Sequence, residues 1–296
     1  MSVRESAIEQ DRAHPLPGKG LWHEMRASLA FVERNIYLVR RYWGWEIAFL
    51  IFNVTSSMSV LFIGKAQQQV DAAASAPASQ QSIDLVLYLG IGTIVWAYLR
   101  AVFSNISEMI SWERWEGTIE YTMMAPISRF THMLGTSLFS IVYGIARTAL
   151  LLATLSLFFE VDLSKANLGG GLMVMLLGSI SFIGVGIMAA SLPLLFPERG
   201  EEMSFVISSI LLLISGVYYP IEVLPGWMQG MARISPATYV LDGMRATVLD
   251  GTPTRDLGQY VVPILITGAL AIPLGITVFT RAERYAKRTG RLKRSG

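Results

Sequence analysis

Residues 168–195, LGGGLMVMLLGSISFIGVGIMAASLPLL, hold no charged side chain. About 20 apolar residues in a helix cross the hydrocarbon core of a bilayer, so this stretch reads as a spanning helix. Its small residues, Gly178, Gly184, Gly186, Ala189 and Ala190, are suited to close approach by neighbouring helices. The same signature recurs at residues 45–63, 85–103, 133–159 and 260–279, and in a shorter form at 203–219 through Phe205, Val206, Ile207 and the run 210–214. The composition agrees: 52% of the 296 residues are hydrophobic and 16% are charged, against about 25% charged in soluble domains.

Six spans put both ends of the chain on one side. With the N-terminus inside, 18 of the 24 Lys and Arg fall in cytoplasmic segments and five outside, a bias that fixes the orientation as both ends in. Residues 1–20 are polar and offer no apolar core for a cleavable signal, so they read as a disordered cytoplasmic segment. Residues 67–81, interrupted by Pro77, read as an external linker, and residues 280–296 as a basic cytoplasmic tail whose seven Lys and Arg suit anionic lipid.

Three segments between the spans carry more pattern than connectors need. Over residues 21–43, Trp22, Met25, Leu29, Val32, Ile36, Val39 and Trp43 recur by three and four with charged residues between them. That spacing predicts an amphipathic helix lying in the headgroup plane and turning into the first span at Gly44. In the loop 104–132, Glu108, Trp112, Trp115 and Ile119 fall at helical spacing, broken by Gly117 and Pro126. Exposed Trp beside charge favours a partner surface. Residues 220–250 hold two short apolar pieces, the second opened by Ser235 and Pro236. Neither can cross, so they predict a hairpin dipping into the outer leaflet.

On these segments the chain resembles ABC-2-type permeases, the transmembrane subunits of bacterial ABC exporters. Glu113-Arg114-Trp115-Glu116-Gly117-Thr118-Ile119-Glu120, then Ala125-Pro126-Ile127-Ser128 and Gly135, is similar to that family's cytoplasmic loop motif. Ser215-Gly216 through Pro220, Pro225, Pro236, Tyr239, Asp242 and Arg245 is similar to its closing signature. The resemblance implies an all-α membrane protein of the type V exporter fold. It has six transmembrane helices, an N-terminal interfacial amphipathic helix and an outer re-entrant helical hairpin between helices 5 and 6. It also implies a coupling helix at 108–121, with Glu113, Arg114, Trp115, Glu116, Gly117, Thr118, Glu120, Arg26 and Arg34 at the contact with an ABC ATPase. A second permease copy or paralogue completes the transporter, and Phe103, Phe205, Ile214 and Val217 line the route. Ser235-Pro236 stands where polysaccharide-exporting members carry Asn-Pro, which leans towards drug or lipid cargo.

The chain lacks a phosphate-cradling G-x-x-x-x-G-K-[ST] loop, so ATP and Mg are expected on the ATPase partner. With no cysteine and three scattered histidines, no metal or thiol chemistry is expected, no catalytic residue is assigned, and no nucleic acid partner is implied. The alternative, an ion-coupled secondary transporter, would need acidic residues near the midplane. Only Glu46, at the edge of the first span, approaches this, and it is the natural partner for Arg147, the one charge well inside a span.

Overall fold

A computed structural model describes residues 21–73, 80–124, 128–158 and 165–290. The described residues form helices and turns without a strand. In order they are α1 (Leu21–Arg41), α2 (Trp43–Ala73), α3 (Gln80–Ser107), α4 (Met109–Glu116), α5 (Ile119–Met124), α6 (Arg129–Ser156), α7 (Leu168–Ala189), α8 (Ser191–Leu195), α9 (Gly200–Ile214), α10 (Gly226–Ala232), α11 (Pro236–Val248) and α12 (Gly258–Arg288). Five helical stretches are long and apolar enough to cross a membrane: Trp43–Gln67, Leu85–Ser107, Arg129–Ser156, Leu168–Leu195 and Gly258–Arg288.

Helix α7 sits at the centre because its glycines face three different neighbours. A Cβ at Gly184 would lie 2.6 Å from the Ala271 backbone of α12, one at Gly186 3.1 Å from Ile106 of α3, and one at Gly178 2.5 Å from Val240 of α11. Gly178 and Gly184 admit only hydrogen and Gly186 is tight, so α3, α11 and α12 pack closely against α7. Polar pairs fix the register: the Ser181 hydroxyl donates to the Ile264 carbonyl at 2.7 Å, and Tyr98 meets Ser179 at 2.5 Å. Tyr98, Leu99, Val102, Phe103 and Ile106 fill the core from α3.

Several boundaries differ from the sequence expectation. The helix of the first span continues past Gln67 to Ala73, where a linker was expected, because glutamine and alanine sustain a helix; Pro77 and residues 74–79 lie outside the described residues, as do 1–20. The break before α2 falls at Tyr42, leaving Gly44 inside the helix. The 203–219 stretch is helical only to Ile214: Ser215 follows and Gly216 adopts φ +69°, a left-handed conformation that ends α9. Ser235 opens α11 without a side-chain cap; its hydroxyl meets that of Ser215 at 2.8 Å instead. The basic tail is not free chain at its start, since α12 runs to Arg288 and Lys287 pairs with Glu283 at 2.7 Å. Arg291, Lys293 and Arg294 lie outside the described residues.

Candidate functional site

The loop between α3 and α6 forms a two-helix hairpin, α4 and α5. Gly117, at φ 72°, caps α4 with its N–H donating to the Arg114 carbonyl at 3.0 Å, and the Thr118 N–H donates to the Glu113 carbonyl at 2.8 Å. Residues 125–127 of the motif lie outside the described residues. On the far side, the Ser128 hydroxyl caps α6 by accepting from the Thr131 N–H at 3.0 Å.

The charges of this hairpin do not all face outward. Glu113 is 2% exposed and Arg114 5%, which removes both from the contact surface where they were expected. Glu113 accepts from Arg34 Nη1 of α1 at 2.9 Å and lies 3.1 Å from His132 Nε2 of α6. Burial pushes its carboxyl up, but His132 and Arg34 outweigh this and hold it below its ordinary range. Arg34 Nη2 also donates to Thr118 at 3.0 Å, and Arg114 Nη1 donates to the Pro193 carbonyl of α8 at 2.7 Å. Arg129 Nε donates to Glu283 of α12 at 2.8 Å, and its Nη1 to the Thr122 carbonyl at 3.0 Å. These groups fasten the hairpin to α1, α6, α8 and α12.

The outward face is aromatic and apolar. Tyr121 is 74% exposed and Met124 72%, with Trp112, Trp115, Glu120 and Phe130 also exposed. Trp112 and Trp115 meet edge-on at 5.4 Å, and Tyr42 braces Trp115 at 5.2 Å. Glu116, beside the Tyr42 hydroxyl, raises that group's pKa.

Helix α1 presents Trp22, Met25, Leu29 and Ile36 as an exposed stripe that Trp43 continues at the start of α2; Val32 and Val39, expected in the same stripe, are half-buried, and Arg26 is exposed beside it. Its other face, which the sequence did not mark, packs on α6. A Cβ at Gly135 would lie 2.6 Å from Phe31 and from the Ser28 carbonyl. Glu24 accepts from Ser128 at 3.0 Å, and the Phe31 and His132 rings lie 4.6 Å apart.

Glu46 and Arg147 do not touch. Tyr143 stands between them, its hydroxyl donating to Glu46 Oε2 and accepting from Arg147 Nη1 at 3.0 Å. The sequence arithmetic brought the pair into range but missed the phenol one turn below Arg147. A double-mutant cycle of Glu46→Ala and Arg147→Ala in a Tyr143→Phe background should therefore be additive within about 0.5 kcal/mol, while the same cycle with Tyr143 present should couple by about 0.5–2 kcal/mol. Thermal unfolding in detergent reads both.

These three residues line a cleft of about 570 Å³ between α2, α3, α6 and α9, with Arg100, Glu108, Glu201 and Phe205. Burial and then the Glu201 carboxylate push the Glu108 carboxyl up to about 7, against the pull of Arg100. The folded state thus binds this proton more readily than the unfolded chain, so the stability it lends is full below about pH 4.5 and is lost as pH rises through 7, by roughly 3 kcal/mol. Glu108→Gln should flatten the pH dependence of the melting temperature over that window and leave the variant the more stable chain at pH 8.

At the other end, Arg245 of α11 donates to the carbonyls of Gly216 and Val217 at 3.0 and 2.9 Å, stacks 3.5 Å from the centre of the Tyr88 ring, and lies 3.7 Å from Asp242. Tyr239 donates to the Arg233 carbonyl at 2.7 Å, and Pro220, Pro225 and Pro236 flank the short helical pieces. Of the four residues expected along the route, Phe103, Ile214 and Val217 are buried and Phe205 alone is exposed.

Five long apolar helices around a glycine-lined centre make this a multi-pass membrane protein. The chain belongs to the ABC-2 type transporter family, whose model matches residues 29–249. Over 157 residues it is 23% identical to the inner membrane transport permease YadH of Escherichia coli strain K12, and equally to the protein of that name from Shigella flexneri. Each match covers 52% of this chain and 59% of the relative, so the chain spans somewhat over half the length of the curated relatives it matches.

Proposed function

We propose that the chain is the permease subunit of an ABC exporter, which moves an amphipathic drug, lipid or glycolipid out of the cytoplasm or inner leaflet. Two permeases and two ATPase subunits make the working unit, with ATP and Mg held by the ATPase. The relatives' name supports an inner-membrane location, and the Lys and Arg bias supports both termini in the cytoplasm. Helix α1 then rests in the headgroup layer with its exposed stripe in lipid.

In this reading α9 is the fifth of six spans. Its 15 residues reach about 22 Å at 1.5 Å per residue, short of a bilayer core. The span is completed by Ser215, Gly216 and Val217, which are buried. Irregular backbone at membrane depth is tolerated only where protein encloses it, and Arg245 supplies donors for its carbonyls. Helices α10 and α11 are the re-entrant hairpin. The proposed route narrows to the exposed face of α9 that carries Phe205.

The observation that carries the reading is the α4–α5 hairpin, aromatic outside and bolted to four helices by buried charge. A rigid anchor with large exposed apolar residues is suited to transmit motion from a docked ATPase. Tyr121→Ala with Met124→Ala should weaken capture of the ATPase subunit about tenfold or more, and lower substrate-stimulated ATP hydrolysis, without moving the melting temperature of the isolated permease. Undiminished capture and turnover would overturn the assignment.

A further inference from the structure

The cleft between α2, α3, α6 and α9 is lined in layers. Glu108, just past the end of α3, and Glu201, in the first turn of α9, lie at one end. Eight residues further into α3, about 12 Å along the helix, lies Arg100, and Arg147 of α6 faces the same cleft. Beyond them the lining is mainly apolar, through Phe49 and Phe52 of α2 and Leu151 of α6, with Asn53 among them.

Among the described residues neither arginine forms an ion pair, although Arg100 lies near enough to Glu108 to draw its carboxyl pKa down. Among the described residues Arg100 makes no hydrogen bond or ion pair, and its guanidinium lies only over the Phe205 ring at 5.6 Å. Arg147 reaches the Tyr143 hydroxyl and ring. Arginines on spanning helices pair with something or mark a ligand site, and a guanidinium pair is suited to phosphate geometry. Glu46 and Glu201 balance the two arginines and Glu108, its carboxyl pushed up to about 7, is partly ionised, so the cleft holds no net positive charge to favour an anionic ligand. A ligand carrying both signs matches the layers.

We propose that this cleft binds a phospholipid with a zwitterionic headgroup, its phosphate between Arg100 and Arg147, its amine toward Glu108 and Glu201, and its chains against Phe49, Phe52 and Leu151. The order of layers from the acidic end inward is the order of a cytoplasmic-leaflet phospholipid from water inward: amine, phosphate, hydrocarbon. That alignment rests on the orientation proposed above.

Native mass spectrometry of the purified, delipidated full chain tests this, with dioleoyl phosphatidylethanolamine, dioleoyl phosphatidylglycerol and diolein titrated separately. Phosphatidylethanolamine should bind about tenfold tighter than either of the others, and Arg100→Gln or Arg147→Gln should each weaken it by about tenfold, the worth of one charge-assisted hydrogen bond to phosphate. Arg100→Lys with Arg147→Lys keeps both charges but loses the planar fork, so it should bind phosphatidylethanolamine more weakly than the unmodified chain and still measurably. Glu108→Gln with Glu201→Gln should erase the preference over phosphatidylglycerol. Equal binding of diolein, a preference for phosphatidylglycerol in the unmodified chain, or unchanged affinity after both Arg→Gln substitutions would overturn the proposal. Should the Gln variants not survive purification, the Lys and Glu pairs decide it: loss of phosphatidylethanolamine binding in the Lys pair, or a preference kept in the Glu pair, also overturns it. Because binding is read on the isolated chain, failure here leaves the permease reading standing. A chain that binds the lipid but assembles with no ATPase would sink the permease reading alone.

Discussion

Glu113→Ala should lower unfolding stability by about 3 kcal/mol, the lower end of the range for breaking a buried ion pair. The estimate sits at that end because the Arg34 side chain is 29% exposed and can recover water, whereas His132 is 3% exposed and cannot. Glu113 is the one group on which α1, α4 and α6 converge, so its loss should also loosen the hairpin. The measurements are thermal unfolding in detergent and the rate of proteolysis between α4 and α6. Glu113→Gln, which leaves an oxygen to accept from Arg34, should lose less than half as much. A Glu113→Ala chain that melts with the unmodified protein would mean that the ion pair is not a support.

Gly92→Ala should be comparably damaging for a different reason. A Cβ at Gly92 would fall inside the contact envelope of the Val217 carbonyl oxygen, and 3.2 Å from Arg245 Nη2. Neither neighbour can yield cheaply, because that carbonyl already accepts from Arg245. Overpacking of this kind costs about 1–3 kcal/mol, and more where backbone must move. Gly258→Ala is the control, since a Cβ there meets nothing within 4 Å; it should be neutral or slightly stabilising. Equal melting temperatures for the two variants would show that the end of α9 can shift without cost, and the account of Arg245 as its clamp would fail.

The spanning helices were legible in the sequence because hydropathy alone carries them: Leu168–Leu195 needs no partner to declare itself. The exposed stripe of α1 was legible from its period for the same reason. Its inner face was not, because Ser28 and Phe31 are held there by Gly135 on α6, over a hundred residues away. Charge in the hairpin read as surface, yet Glu113 and Arg114 are buried, since their partners lie on α1, α6 and α8. Nothing in local sequence marks a loop carboxylate whose partners are an arginine on α1 and a histidine in a spanning helix. The end of α9 was misread because a window of apolar residues averages over the positive φ of Gly216. The cleft was invisible for a similar reason: Arg100 and Arg147 belong to different helices and share a site only through packing.

The most direct test of the account uses a property of the chain itself. It contains no cysteine, so Tyr121→Cys introduces a single thiol on the exposed tip of the hairpin, and Trp227→Cys introduces one on α10 near the opposite end. Each variant, co-expressed with its ATPase subunit, is treated in membranes with a short thiol-to-amine cross-linker. The account predicts a permease–ATPase adduct from the Tyr121→Cys chain, abolished by competing unlabelled ATPase, and none from the Trp227→Cys chain. An adduct from the Trp227→Cys chain, or permease–permease adducts alone from Tyr121→Cys, would contradict it.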